Sequence, residues 1–215
     1  MGGHGRFWVI EGMDGSGKST QAARLADALR AEGRTVLALR EPGATPLGER
    51  IRSLLLHRPA DEAWEARAEA LLFFAARVEL LAREIAPALA ADRDVVCERF
   101  SPSTMAYQGQ NEQDAAFVLR LDRLCVPETL QPERILILDL PAEESYRRVL
   151  AAALERAAAP DAIEARGLAF QQRVRAGYLR YAREQAHRCT VIEVQGLDEE
   201  AVAQRVRRAL APISA

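Results

Sequence analysis

The chain has 215 residues, 49% of them hydrophobic, enough for one domain with a substantial core. Its 29 basic and 31 acidic side chains leave a net charge of −2, which excludes a general polycationic surface for nucleic acid or acidic membranes, so phosphate recognition must be local. Cys97, Cys125 and Cys189 are odd in number, widely spaced and lack a C-x-x-C pair, which suggests neither a disulfide framework nor a zinc site. Gly2 to Arg6 is polar, and no later apolar run has membrane-spanning length, so the expectation is a soluble protein of a reducing cytoplasm.

Phe7-Trp8-Val9-Ile10 predicts a buried strand, and Ala22, Ala23, Leu25, Ala26 and Leu29 recur at helical spacing. Between them, Gly12 to Ser19 fits G-x-x-x-x-G-K-[ST] at every fixed position, in the strand-loop-helix context the pattern requires. Such a loop turns successive N–H groups toward one anion at a helix N-terminus. Lys18 adds a mobile point charge for the donor phosphates and Ser19 a hydroxyl for Mg²⁺. The motif alone implies nucleoside triphosphate binding and leaves motors, GTPases and kinases open.

Thr35 to Leu39 reads as a second strand delivering Arg40-Glu41-Pro42-Gly43, and Leu47 to His57 as a helix with Ile51, Leu54 and Leu55 inward. Glu62 to Ala91 reads as helix, bent before Pro87. Asp94 to Cys97 is a third strand ending in Glu98-Arg99-Phe100, after which Ser101-Pro102-Ser103 can cap a helix that breaks near Gly109 and Asn111 and resumes to Cys125. Arg134 to Asp139 is the fourth strand, followed by a helix over Glu143 to Arg156 and a small, alanine-rich segment through Pro160. A long helix then carries Phe170, Val174, Tyr178 and Tyr181 on one side. Cys189 to Val194 is the fifth strand, and Asp198 caps the last helix. The alternation predicts an α/β fold: a three-layer P-loop NTPase type, with a five-stranded parallel sheet flanked by helices.

In open parallel sheets ligands bind at the carboxyl ends of the strands. The segments after the first three predicted strands supply Asp14, Arg40-Glu41 and Glu98-Arg99, carboxylates and guanidiniums around one crevice. Guanidiniums grip a phosphate in fixed orientation, and a carboxylate beside them holds Mg²⁺ or accepts a sugar hydroxyl. Phosphoryl transfer to a small acceptor is the reading. By themselves Phe73 reads as core, Arg77 as a solvated charge and Tyr107 as a packed ring. Cys97 reads as a buried strand residue, and His4, His57 and His187 as surface residues.

Several separated motifs in one order resemble the thymidylate kinases along nearly the whole chain: FWVIEGMDGSGKST (Phe7 to Thr20), REPGAT (Arg40 to Thr45), Arg52 to Leu56, Leu72 to Arg77, Glu98-Arg99-Phe100 with Ser103 to Gly109, and Phe170 to Arg175 with Tyr178-Leu179. The resemblance implies ATP-dependent phosphorylation of dTMP to dTDP with Mg²⁺, in one domain spanning residues 1–215 with a mobile lid at about 148–166, and a homodimer packed through Ala68 to Leu81. It implies a donor site of Gly12, Gly15, Ser16, Gly17, Lys18, Ser19 and Thr20, with Ser19 and Glu98 at the metal. It assigns Asp14 to the acceptor hydroxyl, Arg52 and Arg99 to the acceptor phosphate, and Glu41 and Pro42 to the orienting loop. Phe73 and Arg77 fall to the base, Thr104 and Gln108 to its edge, and Tyr107 to the sugar 2′ position.

Departures from the family pattern concern catalysis. Glu98 replaces the usual aspartate, and Ala44 stands where a second glycine is frequent, which limits the backbone. The lid reads Asp161-Ala162-Ile163-Glu164 where Asp-Arg-x-Glu is common, and the phosphate loop has no arginine. Arg156 is then the first candidate to neutralise the transferred phosphoryl, with Arg148 and Arg166 nearby, and Asp161 and Glu164 are expected to close over acceptor and metal. Two alternatives stay open at this point: a kinase for another deoxypyrimidine monophosphate, and a catalytically weak nucleotide-binding regulator, the latter because of Ala162.

Overall fold

The structure, a computed structural model, describes residues 5–59, 62–155 and 161–210. Strand β1 (Phe7–Gly12) lies at the centre of the sheet, and all its residues are buried. It pairs in parallel with β3 (Asp94–Glu98) on one side and β4 (Arg134–Asp139) on the other. β2 (Val36–Arg40) and β5 (Cys189–Glu193) complete the edges, giving the order β2-β3-β1-β4-β5, all parallel. This matches the predicted α/β architecture.

Helices cover both faces, which is why the strands read as continuous apolar runs. They are α1 (Lys18–Ala31), α2 (Pro46–Leu56), α3 (Ala66–Leu80), α4 (Ala86–Ala90), α5 (Ser101–Gln108), α6 (Glu112–Cys125), α7 (Ala142–Glu155), α8 (Leu168–Glu184) and α9 (Glu199–Ala209). The period-2 alternation of β1 splits the core. Trp8 and Ile10 pack with Val96, Leu136 and Leu138 under α1 and α9, while Phe7 and Val9 pack with Val95, Ile135 and Ile137 under α3 to α8. Each fully buried Val or Ile contributes about 1.5–3 kcal/mol of transfer free energy.

Four local expectations need correction. The helix expected from Glu62 begins at Ala66. Before Pro87 the chain does not simply bend: Leu81–Ile85 forms a π-helical stretch, because proline lacks an N–H and its ring crowds the carbonyl four residues earlier, forcing a wider turn. Leu54 is 51% exposed rather than inward, since Gly48, Ile51 and Leu55 take the buried side of α2. Ser101 and Ser103 do not cap α5. The cap is the carboxylate of Glu11, which accepts from the Phe100 N–H at 2.7 Å and the Ser103 N–H at 3.2 Å. Asn111 and Asp198 do cap α6 and α9, accepting from Asp114 and Ala201 backbone N–H groups.

Candidate active site

The glycine loop leaves β1, the central strand of the sheet, and enters α1. Gly12 at φ 144° could carry no side chain, since a Cβ there would stand 2.7 Å from the Leu138 carbonyl oxygen. Gly17, at φ 86°, is the N-cap of α1 and offers no side chain to its first-turn N–H groups, and the first turn holds no acidic residue. A helix start of this kind suits an anion. Gly15 also takes a positive φ, and Ser16 Oγ is buried without a partner. Lys18 is less mobile than expected: its Nζ donates to Asp14 Oδ1 at 2.9 Å and to the Met13 carbonyl at 3.3 Å. Thr20 follows half-buried in the first turn of α1.

Beside the loop lies an open cavity at the carboxyl ends of β1, β2 and β3. Asp14, Glu41, Pro42, Arg52, Phe73, Arg99, Thr104, Tyr107 and Gln108 all line it, from six separate segments of sequence. Among the described residues two expected acceptor-site residues do not. Arg77, 1% exposed, stands behind Thr104, donating to its Oγ1 at 3.0 Å and to Glu41 Oε2 at 2.8 Å. Glu164 folds back in a reciprocal cap, accepting from the Asp161 N–H at 3.0 Å while Asp161 Oδ1 accepts from the Glu164 N–H at 2.9 Å. Asp161 and Ile163 line the cavity in its place. Arg156 lies outside the described residues.

A charge network fixes the floor. Arg99, held at φ 68°, donates to Asp14 Oδ1 at 2.5 Å, to Ser103 Oγ at 3.0 Å and to the Tyr178 hydroxyl at 3.0 Å. Tyr107 donates to Asp14 Oδ2 at 3.1 Å, and its ring lies beneath the Arg99 guanidinium. Burial disfavours the Asp14 carboxylate, but the charges of Lys18 and Arg99 and the bonds from Lys18 and Tyr107 outweigh it and hold its carboxyl well below the usual range. Glu41 moves the other way. Burial pushes its carboxyl up to about 7, because Arg77 grips only Oε2 and leaves Oε1 buried without a donor. Burial also raises the Glu11 carboxyl, against the charge of Arg99. The Cys97 thiol is pushed well up by burial and is inert as a nucleophile.

Ser19 Oγ donates to Glu98 Oε1 at 2.9 Å, so a hydroxyl and a carboxylate stand side by side where the loop meets β3. That oxygen pair fits Mg²⁺, which takes one or two protein oxygens and otherwise keeps water and substrate phosphates. Among the described residues no cluster of three or more His, Cys, Asp or Glu could cage a metal by itself. The candidate arginines separate. Arg148 Nη1 donates to the Gly15 carbonyl at 3.0 Å, reaching the phosphate loop from α7. Arg166 pairs instead with the buried Glu69. Ala162 is buried, its N–H donating to the Leu56 carbonyl at 3.2 Å.

Several participants escaped the sequence reading: Glu11, Glu69, Ser103 and the Tyr178 hydroxyl. Glu69 had a signal, standing four residues before Phe73 and eight before Arg77 on one helix face. Glu11, in β1, carried no sequence signal beyond its place in the FWVIEGMDGSGKST motif.

A phosphate loop beside an arginine-rich acceptor cavity, on this strand order, defines a P-loop nucleotide kinase. The thymidylate kinase family model matches residues 10–206. The thymidylate kinase of Bordetella petrii is 48% identical, over 87% of this chain and 85% of its own length. That of Cereibacter sphaeroides is 44% identical, over 100% of this chain and 98% of its own. The crystal structure of thymidylate kinase from Ehrlichia chaffeensis superposes with a TM-score of 0.74 at 31% identity, covering 96% of this chain and 98% of that one. The chain belongs to the thymidylate kinase family.

Proposed function

We propose that the protein transfers the γ-phosphoryl group of ATP to dTMP, giving dTDP and ADP. The observation that carries the reading is the cavity itself, in which Arg52 and Arg99 face Phe73, Thr104 and Gln108 within reach of the Gly12-to-Ser19 loop. The arginines suit a monophosphate; the ring and the amide suit a base. Tyr107, tied to Asp14, restricts the space where a 2′-hydroxyl would lie and so favours deoxyribose. Gly12, Gly15, Ser16, Gly17, Lys18, Ser19 and Thr20 hold the donor phosphates. Mg²⁺, held through Ser19 and Glu98, would neutralise charge on them. The acceptor phosphate is already anionic, so the chain's task is alignment and charge stabilisation.

Residues 148–166 serve as the lid, with Arg148 rather than Arg156 supplying the guanidinium at the loop; support comes from the Arg148 bond to Gly15. The working form is a cytoplasmic homodimer, consistent with Leu71 at 52% and Val78 at 45% exposure one heptad apart on α3, and sedimentation as a monomer at micromolar concentration would refute it. Among the described residues no helix is long and apolar enough to cross a membrane. Coupled ADP release with a panel of nucleoside monophosphates tests the activity. dTMP is expected to be the best acceptor, and turnover of another monophosphate without dTMP would overturn the assignment.

A further inference from the structure

Gln108 is 1% exposed at the cavity wall, and its two side-chain heteroatoms differ in what they meet. Nε2 donates to Glu69 Oε2 at 2.9 Å, whereas Oε1 has no partner. The orientation of a glutamine amide is set by its neighbours, because its two ends have the same shape. Here the neighbour is a carboxylate, which accepts hydrogen bonds only. Glu69, 0% exposed, is anchored in turn: its Oε1 accepts from Arg58 Nη2 at 2.5 Å and from Arg166 Nη2.

We propose that Glu69 is a specificity-positioning residue: by holding the Gln108 amide NH₂ it leaves only Oε1 facing the base, and so selects pyrimidines with an N–H beside a carbonyl over 4-aminopyrimidines. The rest of the wall agrees. Thr104 Oγ1 already accepts from Arg77 Nη2, so its hydroxyl hydrogen is available to donate, and Arg77, which stands behind the wall rather than in it, keeps Nη1 as a buried donor without a partner. Donors next to one acceptor match a carbonyl next to an N–H. A 4-amino base would set its N3 lone pair against Oε1 and its amino group against donors. Buried groups left unpaired in this way discriminate strongly. The proposal rests on the dTMP reading of the cavity.

In Glu69→Gln the two guanidiniums retain the side-chain oxygen, so the new NH₂ faces Gln108 and forces its amide to turn over. The ratio of kcat/KM for dTMP to that for dCMP is expected to fall at least tenfold, through KM for dTMP, with kcat within a few-fold. Glu69→Asp, still acceptor-only, keeps the ratio. Gln108→Leu, which leaves Glu69 and its arginines intact, lowers the ratio at least tenfold and decides the matter should Glu69→Gln not fold. Equal slowing on both substrates in Glu69→Gln, a collapsed ratio in Glu69→Asp, or an unchanged ratio in Gln108→Leu would overturn the proposal. Failure of the dTMP reading has a separate signature, since the unsubstituted protein would then show no preference for dTMP over dCMP.

Discussion

At the scale of single residues the consequential change is Ala162, where the lid commonly has an arginine. Its small side chain packs inward, and among the described residues the guanidinium that reaches the Gly15 carbonyl is that of Arg148, one element earlier. An arginine at a transferred phosphoryl group is worth about 10³-fold or more in rate. Arg148→Ala is therefore expected to lower kcat by about 10³ while KM for ATP and dTMP changes only a few-fold, as read from steady-state kinetics. An unchanged kcat would remove Arg148 from the reaction. Ala44 is a different kind of departure. It adopts φ 64°, a left-handed conformation that costs a non-glycine residue about 1–2 kcal/mol, and its N–H donates to Glu49 Oε1 at 2.9 Å, which holds it there. Ala44→Gly is expected to stabilise the protein by about 0.5–1 kcal/mol, after the added entropy of the unfolded chain, seen as a raised denaturant midpoint with unchanged slope.

At the scale of elements, α5 carries Thr104, Tyr107 and Gln108, and its place is set by β1 and α8. Glu11 caps its start, while Gly177 in α8 lets the helices meet, since a Cβ there would stand 2.9 Å from the Ala106 Cα. A mid-helix glycine costs about 0.5–1 kcal/mol relative to alanine, so close approach is the reason for it. Gly177→Val should push α5 aside, destabilising the fold by about 1–3 kcal/mol and raising KM for dTMP more than KM for ATP. Equal KM changes would show that α5 had not moved relative to the loop. This element also marks how far the sequence was legible. The phosphate loop, the strands and the helix faces were readable because they rest on local spacing. Glu11 acts on Phe100 across 89 positions and Glu69 on Gln108 across 39, and no periodicity records such pairings. Glu164 was misplaced for a related reason: its carboxylate closes a local cap with Asp161, a pattern of D-x-x-E that competes with a ligand role.

Across the whole molecule, two carboxyl groups of one cavity push stability in opposite directions with pH. Asp14 is held below its ordinary 3.8 in the folded chain, so the stability it contributes is complete above about pH 4 and is lost as pH falls further. Glu41 is raised from 4.5 to about 7, so its contribution is complete below about 4.5 and is lost as pH rises through 7. The combined contribution of these two groups is greatest between about pH 4 and 5 and declines toward neutrality. Thermal midpoints from pH 3 to 8 should separate the two. Asp14→Asn is expected to flatten the acid limb and leave the slope between pH 4.5 and 7 intact. Glu41→Gln is expected to reduce that slope, leaving the part due to Glu11, and to cost most above pH 7, where ionised Glu41 is the countercharge of the buried Arg77 and breaking such a pair loses about 3–5 kcal/mol. A Glu41→Gln protein that kept the whole neutral-side slope would assign it to another group and return Glu41 to an ordinary ionised partner of Arg77.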